Sequence, residues 1–228
     1  MAVYSYLGIL PRYSHFLNNM TNLRISSFNL ALFQRPKKPL PDEDFSQVCS
    51  KILSYFSFAD QISNPILTAR RKPGGEIFIN PIFVQFTNIK TEDFESDIKM
   101  TKDIATVYFS RYKTKKISQA AIRLVSIINA DFVENERKLI KNESFTLLPN
   151  NIKALTSKGE VKIGIRLVFQ RNAKRYDLKI EPYFKHLACN YIDFNVVIPN
   201  LEASLNQVYD LFKKEKLFFT KNISAIMA

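Results

Sequence analysis

Three segments in the C-terminal half of the chain alternate between apolar and polar positions, a period typical of a half-buried strand. In the first segment, from Val161 to Phe169, the odd-numbered positions are apolar. After a polar turn over 171–175, the apolar positions of the second are Tyr176, Leu178, Ile180 and Phe184. Those of the third are Ile192, Phe194, Val196 and Ile198, with Tyr191, Asp193 and Asn195 expected to face outward. One apolar and one polar face predict an antiparallel sheet that is buried on one side.

Three other segments carry apolar residues at helical spacing. Two of them open on acidic residues, Asp42-Glu43-Asp44 and Thr91-Glu92-Asp93, and end near basic ones, as the helix dipole favours. The third is expected to begin at Asn200, as its N-cap, and to carry Lys213, Lys214 and Lys216 at its C-terminal end. The apolar stripes are Phe45, Val48, Cys49, Ile52 and Phe56, then Phe94, Ile98, Ala105, Tyr108 and Tyr112, then Leu201, Leu205, Val208 and Phe212.

The remaining apolar runs predict further strands and, with the helices, a fold class. Strands are expected around 25–33, 77–86 and 117–128, and 68–75 is expected to form a hairpin turn that runs into the second of them. The predicted order is β-α-ββ-α-β-βββ-α. The sequence therefore predicts an α+β fold in which long amphipathic helices pack on one face of a mostly antiparallel sheet.

The length of 228 residues suits a single compact domain over 1–228. Two predicted helices open on the same three residues, Glu43-Asp44-Phe45 and Glu92-Asp93-Phe94, each after a strand. A duplication into two similar fused halves, about 22–115 and 116–228, is a second interpretation. Acidic residues in a first helical turn are favoured by the dipole alone, so the sequence leaves both interpretations open.

The composition is that of an ordinary globular protein, with 46% hydrophobic and 24% charged residues. Cys49 and Cys189 lie in apolar-periodic segments and are expected to be buried thiols. The stretch 1–10 is apolar but has no basic start and no cleavage site, so we do not expect a signal peptide. No other stretch approaches 18 uninterrupted apolar residues. We therefore expect a cytoplasmic protein without membrane contact.

Residues for the common catalytic and metal sites are missing. The two histidines, His15 and His186, have no His, Cys, Asp or Glu partner at ligand spacing. No glycine-rich phosphate loop or nucleophile elbow occurs among the five glycines. The acidic clusters at 42–44 and 92–97 would serve a metal-dependent nuclease only if they converged, and helix dipoles already explain them. We therefore expect no enzyme, no cofactor and no metal site.

The chain is strongly basic, with 33 Lys and Arg against 21 Asp and Glu and a net charge of +12, which favours an anionic partner. Basic clusters at turns on one end of a sheet would form a rim for phosphates. The candidate phosphate contacts are Arg70, Arg71, Lys72, Arg111, Lys113, Lys115, Lys116, Arg171, Lys174 and Arg175. Tyr112 and Tyr176 beside them are candidates for stacking on bases. A further cluster is Arg35-Pro36-Lys37-Lys38. The alternative interpretation is that all these clusters are merely solvated turns and helix ends.

Two motifs carry a resemblance. One is Ala121-Ile122-Arg123-Leu124 with Ile127-Ile128-Asn129, which follows a long helix; the other is Tyr191-Ile192-Asp193-Phe194, followed by a helix and Phe218-Phe219-Thr220. They resemble the central arginine-bearing strand and the ending of a sporadically distributed prokaryotic family of unknown function. The resemblance covers residues 24–224. It implies the α+β layout and carries no activity with it.

Three hypotheses for function follow. The first is a non-catalytic basic accessory protein that contacts the phosphate backbone of DNA or RNA, without sequence specificity, within a larger prokaryotic complex. The second is a protein-interaction or scaffolding subunit, or a homo-oligomer, that uses a sheet edge or the apolar tail 217–227. The third is a metal-dependent nuclease, for which the sequence offers no positive motif.

Overall fold

The computed structural model describes residues 23–129, 164–183 and 189–227, which form nine strands and three helices. In chain order they are β1 (Ile25–Phe33), α1 (Asp42–Leu53), β2 (Phe58–Ser63), β3 (Ile66–Arg70), β4 (Glu76–Ile79), β5 (Phe83–Lys90), α2 (Phe94–Arg111), β6 (Gln119–Asn129), β7 (Ile165–Arg171), β8 (Lys174–Pro182), β9 (Cys189–Ile198) and α3 (Leu205–Met227). Short turns join the four strands from β2 to β5, as antiparallel neighbours allow.

All nine strands belong to one sheet in the order β2-β3-β4-β5-β1-β6-β9-β8-β7. Every neighbouring pair is antiparallel. Cross-strand partners of the same face, such as Leu30, Ile122 and Val196, are almost fully buried. The alternation seen in the sequence therefore becomes one buried face across the whole width of the sheet.

The three helices share a single hydrophobic core with that buried face. The ring of Phe28 in β1 lies 5.4 Å from that of Phe94 in α2 and 5.6 Å from that of Phe212 in α3, both in edge-to-face contact. The buried side chains of α1 belong to the same core. The opposite side of the sheet, hereafter the open face, has no helix of the described residues against it.

These observations confirm an α+β fold with an antiparallel sheet, and they confirm β1 at its predicted bounds. The predicted order is wrong, because four strands rather than two separate α1 from α2. The expected strand 77–86 is divided by a turn in which the Asn80 side chain accepts hydrogen bonds from the backbone N–H groups of Ile82 and Phe83. The sequence pattern did not predict strand β2, because all six of its residues are exposed and show no alternation of apolar and polar positions.

The boundaries of two further elements differ from the prediction. The segment expected as a hairpin turn starts in β3, and the turn itself covers 71–75. Helix α3 begins at Leu205 rather than at Asn200, because Asn200 and Glu202 have left-handed backbone angles (φ 51° and 44°) that a helix does not allow. Ser204 instead accepts a hydrogen bond from the backbone N–H of Gln207.

Helix α3 continues to Met227, so Lys213, Lys214 and Lys216 lie in its middle and not at its end. The apolar tail docks on the protein's own core as far as Ile223, which is 2% exposed. The expectation of long helices is wrong for α1, whose 12 residues are an ordinary length. Cys49 and Cys189 are buried free thiols. Of the helices described, none has the length and apolarity needed to cross a membrane.

Three sequence-based expectations fall outside the described residues. They concern the start of the first alternating strand at 161–163, Phe184, and the histidines His15 and His186.

The strand order is similar on the two sides of the central pair β1 and β6. Moving outward, the first half adds β5, β4, β3 and β2, and the second adds β9, β8 and β7, so β2 has no counterpart among the described strands; β5 leads to α2 and β9 to α3. Apart from β2, this is the arrangement that a duplication into 22–115 and 116–228 would produce, and we keep that duplication as a proposal. The shared Glu-Asp-Phe motif does not support it, because both copies lie in the first half, at α1 and α2.

The turn between β7 and β8 generates a stability prediction. Asn172 and Ala173 both have left-handed backbone angles (φ 50° and 59°), which cost an alanine about 1 kcal/mol relative to glycine. We expect Ala173→Gly to raise the free energy of unfolding by about 1 kcal/mol in urea denaturation. The control is Ala31→Gly in the middle of β1, which we expect to lower it. A destabilised Ala173→Gly variant would contradict this account of the turn.

Candidate nucleic-acid interface

The strand registers decide which basic clusters lie together. The last residue of β1, Phe33, pairs with the first of β6, Gln119, and the last of β9, Ile198, pairs with Ala120. Arg175, at the start of β8, pairs with Val197. The segments 34–38, 111–118 and 171–175 therefore emerge at one end of the sheet. The cluster 70–72 lies at the opposite end, because β3 ends there.

The end at which the three segments emerge carries an array of exposed cations, hereafter the basic edge. Its members are Arg35, Lys37, Lys38, Lys113, Lys115, Lys116, Arg171 and Arg175. The edge runs from β1 across β6, β9 and β8 to β7, and four strand spacings amount to about 19 Å. Among the described residues, six of the eight have no hydrogen-bond, ion-pair or aromatic partner for their side chains; the exceptions are Arg35, which pairs with Glu202 at 3.1 Å, and Arg171, whose guanidinium lies over the ring of Phe218.

Backbone hydrogen bonds fix the segments that carry these cations. The N–H of Ser118 donates to the carbonyl of Phe33 at 2.8 Å, and the N–H of Ile117 donates to that of Ala203, also at 2.8 Å. The buried side chain of Gln34 contacts the hydroxyl of Thr114. The chain before β6 is thus tied both to the end of β1 and to the segment before α3, which holds Lys115 and Lys116 beside the sheet.

Two of the predicted phosphate contacts are structural instead. Arg71 donates to Asp97 at 2.7 Å and to the carbonyl of Lys90 at 3.2 Å, and its side chain is 13% exposed. Lys174 donates to Glu215 at 2.6 Å, in the contact between β8 and α3, and is 18% exposed. A cation that is paired with a carboxylate at this distance is not available to bind a phosphate. Each of these pairs instead joins a helix to the sheet.

Three more predicted contacts are not part of the basic edge. Arg70 forms a two-pronged ion pair with Asp60, and Lys72 lies 5.6 Å from the centre of the exposed Phe58 ring; both are at the far end of the sheet. Arg111 is at the near end, but it pairs with Asp44 at 3.1 Å. Of the ten predicted contacts, the structure brings together Lys113, Lys115, Lys116, Arg171 and Arg175 as exposed cations.

The prediction that two tyrosines stack on bases is wrong, because both rings are buried in the core. Tyr112 is 7% exposed and its ring lies 5.0 Å from that of Tyr108. Tyr176 is 5% exposed and stacks in parallel on Phe169 at 4.7 Å. Burial raises the pKa of both hydroxyls, that of Tyr112 to about 12. Neither ring has a free face for a ligand.

A polar network occupies the middle of the open face. Arg123 donates two hydrogen bonds of 2.8 Å to the carboxylate of Asp193 and one of 2.9 Å to the hydroxyl of Tyr191. Asn195 also donates to Asp193, at 2.9 Å. The expectation that Asp193 faces solvent is wrong: it lies on the polar side of β9 but is 4% exposed. Its hydrogen bonds raise the pKa of Arg123, and the pair holds β6 to β9 without adding net charge.

The open face also carries a group of aromatic rings that the sequence pattern did not indicate. Phe33, Phe78 and Phe83, hereafter the phenylalanine cluster, come from the adjacent strands β1, β4 and β5. The ring centroid of Phe83 lies 5.2 Å from that of Phe33 and 5.4 Å from that of Phe78. All three residues are half-buried, and none packs against the core. A phenylalanine on the polar side of a strand is the signal that could have found them.

The described parts of the chain offer little for metal binding or small-molecule chemistry. Within them, no three His, Cys, Asp or Glu side chains come close enough to hold a metal ion. A cleft of about 280 Å³ lies at the start of α2, lined by Arg71, Pro73, Lys90, Glu92, Asp93, Ser96 and Asp97. Its basic and acidic groups are similar in number, and Arg71 is already paired there.

The buried position of Tyr112 predicts a stability loss at high pH. Below pH 10 its hydroxyl is protonated in both the folded and the unfolded chain, so its full contribution to the free energy of unfolding is present. Above pH 10 the unfolded chain releases the proton first, and stability falls until the pH reaches about 12. Between pH 9 and pH 11 the free energy of unfolding of Tyr112→Phe should fall by about 1 kcal/mol less than that of the wild type, as measured by urea denaturation. Parallel pH profiles would contradict the buried position.

Comparison with known proteins adds no assignment to these residues. No protein-family model matches the sequence, and no curated protein matches it. The resemblance carried by the strand around Arg123 and by the C-terminal motifs therefore stays a prediction.

Proposed function

We propose that this chain is a non-catalytic accessory protein that contacts the phosphate backbone of nucleic acid along the basic edge. The observation that supports the proposal is the presence of six exposed cations without a partner at one end of the sheet, among the described residues: Lys37, Lys38, Lys113, Lys115, Lys116 and Arg175. These six cations span three strand spacings, from β1 to β8, or about 14 Å, and a row of this length suits a polyanion with regularly spaced charges better than it suits a single small anion.

The solvated-turn interpretation explains this arrangement less well. The helix dipole favours cations within the last helical turn, but Lys115 and Lys116 lie beyond the end of α2, and Lys37 and Lys38 precede α1. The other basic residues of the described chain are often paired with a carboxylate, as Arg70 and Arg166 are. Like charges held side by side repel each other, so an unpaired row of them costs stability unless an anion offsets it.

Binding rather than catalysis is the chemistry that these side chains support. Ammonium and guanidinium groups hold phosphate oxygens through charge-assisted hydrogen bonds. Within the described residues, the basic edge has no histidine, cysteine or carboxylate cluster beside it that would cleave what it binds. Membership of a larger prokaryotic complex is part of the proposal, and the resemblance to the sporadically distributed family supports only the prokaryotic setting.

The proposal is tested by a salt titration of binding to a fluorescent oligonucleotide. The triple variant Lys38→Ala, Lys115→Ala, Lys116→Ala removes three charges of the basic edge. Each lost phosphate contact lowers the slope of log K against log salt by about 0.7 for a single strand, so we expect the slope to fall by about 2.

A matched control removes the same charge elsewhere. The variant Lys72→Ala, Lys90→Ala, Lys99→Ala changes three exposed lysines that form no ion pair within the described residues and that lie at or near the opposite end of the sheet. We expect it to bind as the wild type does. Equal losses of oligonucleotide affinity in both triple variants would mean that binding depends on net charge and not on the basic edge. Absence of binding by the wild type at low salt would overturn the proposal.

A second candidate function is protein interaction through the sheet edge formed by β2. Every residue of this strand is exposed, and Phe58 and Ile62 are 50% and 51% exposed. Within the described sheet β2 is a terminal strand, so one row of its backbone N–H and C=O groups is free to pair with another strand. Such an edge suits strand addition by a partner protein or a second copy.

Sizing over a range of protein concentrations tests this candidate for self-association. We expect concentration-dependent association that Ile62→Lys abolishes, because a charge on an edge strand opposes pairing. The control Leu217→Lys introduces the same charge at a 68% exposed position of α3 and should leave association unchanged. If the protein is monomeric at all concentrations, the hypothesis that it self-associates through β2 is wrong.

A further inference from the structure

We propose that the phenylalanine cluster stacks on the unpaired bases of a single-stranded nucleic acid whose phosphates follow the basic edge. This inference rests on the proposed function and narrows it, because it names the ligand as single-stranded and assigns the base contacts to Phe33, Phe78 and Phe83. These residues replace the two tyrosines predicted from the sequence.

The position of the cluster is not explained by folding. Burying a phenylalanine is worth about 1.5–3 kcal/mol, and sheet residues such as Phe28, Phe86 and Phe194 obtain it by facing the helices. The three rings of the cluster face the other way, among polar neighbours such as Gln85, which pairs with Phe78, and Gln119, which pairs with Phe33. A contiguous apolar patch on a polar surface indicates a place where something else binds.

The geometry of the cluster suits flat ligands. The rings come from three adjacent strands and are tilted by 43° and 38° to one another, so they form a stepped row and not a closed pack. Bases stack on such rings whatever their sequence, because every base has a π face. In a duplex these faces are already covered by neighbouring bases, so only an unpaired base can lie on the ring of a phenylalanine.

The cluster is continuous with the basic edge. Phe33 is the last residue of β1, and the chain continues directly to Arg35, Lys37 and Lys38. The hydrogen bond from the N–H of Ser118 to the carbonyl of Phe33 brings Lys116 to the same place from β6. A strand whose phosphates contact these cations therefore has its bases within reach of the cluster.

The charges of the open face favour this division between phosphates and bases. Three of its arginines are neutralised by carboxylates, in the pairs Arg70–Asp60, Arg123–Asp193 and Arg166–Asp177. The free cations are concentrated at the edge instead. Phosphates are thus attracted to the edge, while the open face around the phenylalanine cluster offers uncharged rings and polar side chains to the bases.

The test uses the wild-type protein and three fluorescent probes of equal length: an oligo(dT) strand, the same strand made abasic, and a duplex. Loss of one stacked base weakens binding about tenfold, so we expect the oligo(dT) strand to bind at least tenfold more tightly than the abasic strand and than the duplex, per unit length. The abasic strand keeps every phosphate, so this comparison isolates the bases without changing the protein.

Variants then locate the contact. We expect Phe33→Ala and Phe83→Ala each to weaken oligo(dT) binding about tenfold, to leave abasic-strand binding unchanged, and to keep the salt slope of the wild type. The control Phe58→Ala removes an exposed ring at the far end of the sheet and should have no effect. Urea denaturation checks that each variant is folded, and Phe33→Leu and Phe83→Leu replace any variant that is not.

The outcomes separate the two proposals. Equal binding of the abasic and oligo(dT) strands, with a steep salt slope, would overturn the stacking inference and leave the phosphate contact of the basic edge in place. A preference for the oligo(dT) strand that Phe33→Ala and Phe83→Ala do not reduce would place the base contacts elsewhere. No binding of any probe at low salt would overturn the proposed function and the stacking inference with it.

Discussion

One-sided burial of the central strands β1 and β6 is the constraint on which the rest of the structure depends. Their alternate residues, such as Phe28, Leu30 and Ile122, form the floor on which the helices pack, and the outer strands extend that floor in both directions. Because the side-chain period of a strand is two, the same alternation that builds the core also builds a second face, which none of the described helices covers. A sheet whose strands are apolar on one side only therefore also has a polar side, which in this protein is the open face.

The open face keeps its polar groups in neutral, hydrogen-bonded pairs. Arg123 and Asp193 satisfy each other across β6 and β9, with Tyr191 and Asn195 completing the network. An unpaired charge at the 4% exposed position of Asp193 would cost several kcal/mol, so this arginine and this aspartate require each other. The network makes the middle of the sheet rigid and uncharged, and that leaves the basic edge as the main source of positive potential.

Packing sorts the basic residues into two classes that look alike in the sequence. Arg71 and Lys174 lie where a helix meets the sheet, and each is held by a carboxylate from that helix. Lys115 and Lys116 lie in a segment whose backbone bonds to the end of β1 and to the segment before α3, and no carboxylate of the described residues forms an ion pair with either side chain. Availability for a ligand therefore depends on the neighbouring element and not on the basic cluster itself.

The sequence by itself determined the local elements: the alternation of β1, β8 and β9, the apolar stripe of α1 and the acidic start of α2 each follow from contacts within a few residues. Only the tertiary structure decided the sheet order, which cations stay free, that Tyr112 and Tyr176 are buried, and that Phe33 meets Phe83. These outcomes depend on strand register between residues some 50 or more positions apart, as in the pairing of Phe33 with Phe83 and Gln119. A side-chain period of two says which residues share a face, but it does not say which strands will be neighbours.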